Sequence, residues 1–381
     1  MATFSCDVVR CVVKNHPNAD ALDIVEIGLF NSVMKKGVFN TGDLAVYIPE
    51  AAICPDSIMK YCYCWDQDKN RGKLAGSACN RVKACKLRGV LSQGLVLPLS
   101  DEVKAFYSLT TEDIVEGNDL QEKLEVKKYE PKVPDSFFGA NQPKIAGAYH
   151  GYTPSFDVEN LKKYKNSFTE GEIVRVTEKI HGTCCVIGAF TKDAISRFGF
   201  NPDNLYSGCI YVGTKSLTKR GIVYNPNDDS YIYSKIPKEM GILDNIAAYI
   251  KHMSDPIASV VFIGEIFGPG VQKGFGYGQT EKTFRLFEIQ VSLVENPSKF
   301  IPVDTATYRT IVNRCYNIPM VPLLYEGPYY EGLIELNSGM STYDPSQIRE
   351  GIVIRSDDGK KLLKYVSEAY LLRKGDVTEY E

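Results

Sequence analysis

The chain has 381 residues, with 44 lysines and arginines against 47 aspartates and glutamates and a net charge of −3. That length suits two domains with separate cores, and 44% hydrophobic with 24% charged residues excludes wholesale disorder. No apolar run reaches the ~18 residues of a membrane span. The N-terminus lacks the layout of a signal peptide, and eleven irregularly spaced cysteines read as reduced thiols. A cytoplasmic or nuclear protein with no membrane partner is therefore expected. The near-even charge balance also excludes a uniformly basic nucleic-acid coat protein, though not a local basic track.

In chain order, short strands are expected at residues 4–14, 24–30, 43–48, 81–87 and 94–97, with turns at His16-Pro17-Asn18 and Asn40-Thr41-Gly42-Asp43. Several short strands and no long amphipathic helix predict a small β-barrel over residues 1–130. A Pro/Gly-rich passage follows between 117 and 155, and the linker is placed at 131–155. From 156 to 381 the pattern becomes α+β and mainly antiparallel. Apolar runs at 173–176, 184–190, 260–265, 283–291, 351–354 and 361–365 alternate with expected helices at 241–252 and 304–315.

The sharpest chemical signal is Glu178-Lys179-Ile180-His181-Gly182-Thr183, directly after the run at 173–176. A lysine ending a strand and followed by an x-His-Gly turn places one amine at a pocket floor, with glycine letting a phosphate approach the backbone. Taken alone, this is also how a strand ending in a solvated lysine reads. Four more stretches follow in order: Phe262-Ile263-Gly264-Glu265-Ile266-Phe267-Gly268, extended by Pro269-Gly270-Val271-Gln272-Lys273; Phe284-Arg285-Leu286-Phe287-Glu288-Ile289; Arg349-Glu350-Gly351-Ile352-Val353-Ile354-Arg355; and Lys361-Leu362-Leu363-Lys364-Tyr365.

This order of lysine, acidic-glycine, aromatic, Glu-Gly-apolar and lysine-rich strand is that of covalent nucleotidyltransferases. From about residue 150 onward the chain resembles RNA ligases of the ligase 2-like kind, most closely at GEIFGPGVQK. The resemblance implies an ATP-grasp-like nucleotidyltransferase domain in which Lys179 forms a covalent bond to AMP. Glu178, Ile180, His181 and Gly182 would line the nucleotide. An attacking lysine must lose its proton, against an ordinary pKa of about 10.4; burial, neighbouring cations or a metal promote that loss. Lys215, Lys361 and Lys364 would supply positive charge to the phosphates. The family spacing is K-x-K, whereas this chain has K-x-x-K, and Lys364 is the better match. The resemblance also implies that Glu350 holds Mg²⁺ or Mn²⁺, and that Glu265 contacts the ribose or the metal. Phe287 falls where the family stacks an aromatic ring on adenine. Phe284 and Phe287 are three apart, so one is expected to face the pocket and the other the core. Many such enzymes read KIHGTN, but Cys184 replaces that asparagine here, so its phosphate contact is lost or supplied from elsewhere.

Residues 69–88 contain seven basic and no acidic residues: Lys69, Arg71, Lys73, Arg81, Lys83, Lys86 and Arg88. They form a candidate phosphate-backbone track for RNA, either a nicked duplex or RNA ends, or else a solvated basic hairpin. The segment His16-Pro17-Asn18-Ala19-Asp20-Ala21-Leu22 resembles a turn of tRNA-binding OB-type modules. RGVLSQGL after the track is similar to the N-terminal module of a smaller RNA ligase group in which an OB domain precedes the ligase domain. Cys54, Cys62, Cys64, Cys79 and Cys85 cluster without zinc-ribbon spacing. The alternatives are a DNA ligase, a GTP-dependent capping-type enzyme, or a non-catalytic RNA-binding module on a decayed ligase fold. The first two usually carry a further domain after the last motif, and only 17 residues follow Lys364. No partner protein is evident.

Overall fold

A computed structural model describes residues 4–130, 145–164, 166–316 and 318–373. Most of the expected linker lies outside the described residues. The chain forms two compact units. One contains residues 4–130 together with 161–164 and 368–373; the other contains 145–160, 166–316 and 318–367.

The first unit is built from short antiparallel strands. Asp7–Arg10 and Leu95–Pro98 flank Leu44–Ile48. Val12–Asn15, Leu22–Ile27 and Phe30–Lys35 form a meander. The single strand expected at 24–30 is instead a hairpin, because Gly28 adopts φ 61 and Ile27 pairs with Phe30. Inward positions of these strands supply the core, including Val8, Val25, Val46, Ile48, Val96 and Leu97, all fully buried. Of the strand expected at 81–87, only Cys85–Leu87 pairs regularly, with Val90–Ser92. Arg88 and Gly89 make the two-residue turn between them, both at positive φ.

In the second unit, one antiparallel sheet runs in the order Ile145–Ala148, Ile222–Tyr224, Ile210–Thr214, Thr183–Phe190, Ile257–Phe267, Thr283–Leu293, Asn296–Pro302. A second sheet runs Glu159–Asn160, Leu362–Val366, Gly351–Ser356, Ile173–Lys179, Leu323–Pro328, with its first pair parallel. The expected helices form as Ile242–Ile250 and Thr305–Arg314. In the first of these, Ile242, Leu243, Ile246, Ala247 and Ile250 form one apolar stripe, buried against Ile187, Val260, Phe262 and Phe284. The second is capped by Asp304, which accepts a hydrogen bond from the Thr307 amide (2.8 Å). The opposite face of the long sheet is lined by Tyr149, Phe190, Tyr211, Val261 and Ile263. Gly188 has no side chain because a Cβ there would lie 2.0 Å from the Tyr211 ring.

A buried ion pair ties the two sheets together. Arg355 donates from Nε (3.0 Å) and Nη2 (3.2 Å) to the Glu288 carboxylate, and both side chains are almost wholly enclosed. The Tyr308 ring lies near both Arg175 (5.4 Å) and Arg355 (5.7 Å). The described residues also form helices at Asp56–Tyr61, Asp101–Phe106, Lys192–Phe198, Lys215–Thr218, Ile232–Glu239 and Glu368–Leu372, which the sequence patterns did not single out. Ile232–Glu239 contains Pro237 and packs Ile236 into the helical face of the core.

Candidate active site

Strand pairing assembles the site. Lys179 is the last residue of Ile173–Lys179 and pairs with Gly351, so Glu350 arrives beside it from the neighbouring strand. Lys179 Nζ lies 2.6 Å from Glu350 Oε1. Glu350 is 5% exposed, and its Oε2 is buried with no hydrogen-bond partner. In the other sheet Glu265 pairs with Cys184, placing both on one face, and accepts a hydrogen bond from the Gly182 amide (3.1 Å). Desolvation, with some help from the Glu350 charge and against Lys179 and Lys215, pushes the Glu265 carboxyl up to about 8. Burial also holds the Cys184 thiol protonated, far above its ordinary range.

Gly182 meets a stricter demand than phosphate access. A Cβ there would lie 2.2 Å from the Ile266 carbonyl oxygen and 2.9 Å from Glu265 Cγ. The turn that carries it is held by residues the sequence reading did not single out. Tyr277 OH accepts from the His181 amide (2.7 Å), and Gln272 Nε2 donates to the Gly182 carbonyl (2.7 Å). Gln347 accepts from the Tyr277 amide (3.1 Å). The His181 ring stands edge-on to Phe275, with centroids 5.0 Å apart, and Ile180 is buried. Only the position of Gln272 in the GPGVQK stretch hinted at this.

The remaining expected site residues divide. Phe287 falls at a β-bulge and packs toward the face that carries Cys184, whereas Phe284 is buried under the helices. Lys215 opens a short helix after Thr214 and pairs with Asp157. Lys364 pairs with Val353, which pairs with Thr177, so Lys364 shares a sheet face with Lys179. Lys361 is not brought there. It stands opposite Ser356 at the far end of the strand, ~16 Å along it from Lys179, and its Nζ lies 2.7 Å from Glu172. The Glu178 carboxylate points to the other face, accepting from Ser341 Oγ (2.6 Å) and the Thr342 amide (2.8 Å), with Arg349 Nε at 3.8 Å.

The basic residues of the first unit occupy two hairpins. Lys69 and Arg71 lie on the Trp65–Asp66/Arg71–Gly72 hairpin, followed by Lys73; Lys86 and Arg88 lie on the Cys85–Leu87/Val90–Ser92 hairpin, and all five are exposed. Lys83 and Arg81 are half-buried, with Arg81 over the Tyr129 ring at 4.2 Å. The HPN turn latches the second hairpin: His16 Nε2 lies 3.1 Å from the Leu87 carbonyl, and Asn18 Nδ2 donates to the Arg88 carbonyl (3.0 Å). Among the described residues, no group of three or more His, Cys, Asp or Glu side chains could hold a metal, in the cysteine cluster or elsewhere. None of their helices is long and apolar enough to cross a membrane.

No curated protein sequence matches the chain. Solved structures do. A Naegleria gruberi RNA ligase with PPi is 20% identical, with a TM-score of 0.70 over 97% of this chain and 98% of that one. A lysine-to-methionine mutant of the same ligase with AMP and Mn has a TM-score of 0.71 at 20% identity, covering 97% and 98%. An arginine-to-alanine mutant with ATP and Mn has 0.70 at 20%, covering 98% and 100%. These likenesses establish a shared fold along nearly the whole chain. The profile of an OB-fold domain matches residues 7–99, and that of RNA ligase matches residues 172–366. The latter spans half of the chain and encloses Lys179, Glu265, Glu350 and Lys364, so the protein belongs to the RNA ligase family.

Proposed function

We propose that the protein is an ATP-dependent RNA ligase that seals RNA 3′-OH and 5′-phosphate ends, most simply at nicks, through a lysyl-AMP intermediate on Lys179. The observation that carries this reading is the 2.6 Å approach of Lys179 Nζ to a buried carboxylate with one unpartnered oxygen. In the first step the Lys179 amine attacks the α-phosphorus of ATP. An N–P bond forms, the bond from that phosphorus to the bridging oxygen breaks, pyrophosphate leaves, and the nitrogen gives up a proton. Lys364 and Lys215 stabilise the charge that develops on the phosphates. AMP then passes to the RNA 5′-phosphate, and the 3′-hydroxyl displaces it.

The unpartnered Oε2 of Glu350 and the nearby Glu265 suit a hard divalent cation, whose other positions nucleotide phosphates and water would fill. Mg²⁺ or Mn²⁺ held there would screen the phosphates and draw the Glu350 charge away from Lys179. Phe287, at the bulge, is the residue for stacking on adenine, and the two basic hairpins are the track for the RNA backbone. Eleven unpaired thiols suit the reducing conditions of cytoplasm or nucleus.

Incubation with Mg²⁺ or Mn²⁺ and α-labelled ATP or GTP tests this reading. Label from ATP should remain on the denatured polypeptide and vanish in Lys179→Ala. Label from GTP alone would point to a capping-type activity, and no label from either nucleotide would sink the proposal. Sealing of nicked duplexes that differ only in RNA or DNA at the 3′-OH side then distinguishes an RNA from a DNA ligase.

A further inference from the structure

Tyr63 is 52% exposed and adopts φ 59. It closes the Asp56–Tyr61 helix: its amide donates to the Lys60 carbonyl (3.1 Å), and the Cys64 amide donates to the Met59 carbonyl (2.7 Å). This paired closure is the left-handed cap that ordinarily falls to glycine. A bulky residue there is a backbone outlier, of the kind that persists where it serves a function. The consequence is that the ring stands off the surface. Lys35 Nζ lies 4.7 Å from the ring centroid, and about half of the residue remains exposed.

Basic residues lie on the neighbouring segments. The Lys73 amide donates to the Cys64 carbonyl (2.8 Å), which joins the residue after Tyr63 to the first hairpin. Cys85 begins the hairpin strand that carries Lys86 and leads to Arg88. Lys35 ends a strand that runs beside the other half of that hairpin, with the Gln93 amide on the Asn31 carbonyl (2.7 Å) and the Val33 amide on Ser92 Oγ (2.9 Å). An exposed aromatic ring beside Lys35, in the unit whose two hairpins carry Lys73, Lys86 and Arg88, has the chemistry of a base-stacking platform for a strand whose phosphates follow those hairpins.

We propose that Tyr63 stacks against an unpaired RNA base and so gives this unit a preference for single-stranded over fully duplex RNA. The proposal rests on the basic hairpins being the RNA track. The experiment uses the full chain, a single-stranded RNA of mixed sequence, and a blunt duplex of the same length, with affinities measured across a salt series. Tyr63→Gly removes the ring and relieves the cap, so its thermal midpoint should hold or rise. Its affinity for the single strand should nevertheless fall on the order of 5- to 100-fold. Duplex affinity should stay within about twofold, and the salt slope should not change. Tyr63→Phe, which keeps the ring, should bind the single strand like the parent.

Single-strand affinity unchanged in Tyr63→Gly, an equal loss on both RNAs, or a loss in Tyr63→Phe as large as in Tyr63→Gly would each overturn the proposal. The double variant Lys86→Ala/Arg88→Ala should weaken both RNAs and flatten the salt slope by about 2. If it changes neither, the track itself is misassigned. If it weakens both while Tyr63→Gly weakens neither, only the stacking role fails.

Discussion

Lys179 Nζ and Glu350 Oε1 lie 2.6 Å apart, yet the residues are separated by most of the catalytic unit in sequence. They meet because Lys179 pairs with Gly351 across two adjacent antiparallel strands. Glu350 gives one oxygen to the lysine, and its other oxygen is buried without a hydrogen-bond partner.

Replacing that carboxylate with an amide tests both of its roles. Glu350→Gln keeps the shape and an acceptor for Lys179 but loses the charge. Self-adenylylation with Mg²⁺ or Mn²⁺ should fall about 100-fold or more, while the thermal midpoint moves by only a few degrees. Adenylylation within about threefold of the parent would remove Glu350 from the mechanism.

The two lysines of the last motif should separate cleanly. The Lys361–Glu172 pair is partly exposed and distant from Lys179, so Lys361→Ala should cost at most ~1 kcal/mol of stability and leave adenylylation within about twofold. Lys364→Ala removes a cation on the face of Lys179 and should slow adenylylation at least about tenfold. Rates measured with labelled ATP decide this, and the reverse order of effects would refute the register argument.

Gly182→Ala drives a methyl group into the Ile266 carbonyl and Glu265 Cγ. The two strands must part or shift, at an expected cost of about 1–3 kcal/mol. Thermal unfolding should begin several degrees lower, and adenylylation should drop with it because Glu265 is displaced. An alanine variant as stable and active as the parent would show that the close approach is absent in solution.

The Glu265 carboxyl has a sign-definite effect on stability. Its folded value of about 8 lies above the ordinary 4.5. Between these values the folded protein retains a proton that the unfolded chain has released, so its stability falls as pH rises. Glu265→Gln lacks that dependence. In metal-free buffer the parent should lose thermal midpoint relative to Glu265→Gln on going from about pH 5 to about pH 9. A difference that stays constant over this range would mean that Glu265 titrates normally.

Much of the candidate site was legible as ordered motifs, because each candidate side chain sits beside its own glycine or apolar run. Glu178 shows where that reading ends. It adjoins Lys179 in sequence, but strand alternation turns its carboxylate to the opposite face, onto Ser341 and Thr342. Tyr277, Gln272 and Gln347 were silent for a related reason: their contacts to the Lys179 turn and to one another are hydrogen bonds between segments far apart in the chain. In the first unit, the strand expected at 24–30 failed at Gly28, whose left-handed backbone turned one strand into two.

The sequence alone determined the inventory: one lysine in a KxHG turn, two glutamates beside glycines, a lysine-rich strand, and a basic track in a chain of net charge −3. Tertiary structure decided which of these meet. Lys364 and Lys361 are three residues apart and chemically identical, but pairing register puts one on the face of Lys179 and the other on Glu172. Register is a property of neighbouring strands, set by side chains that alternate between two faces, and no local pattern of residues carries it.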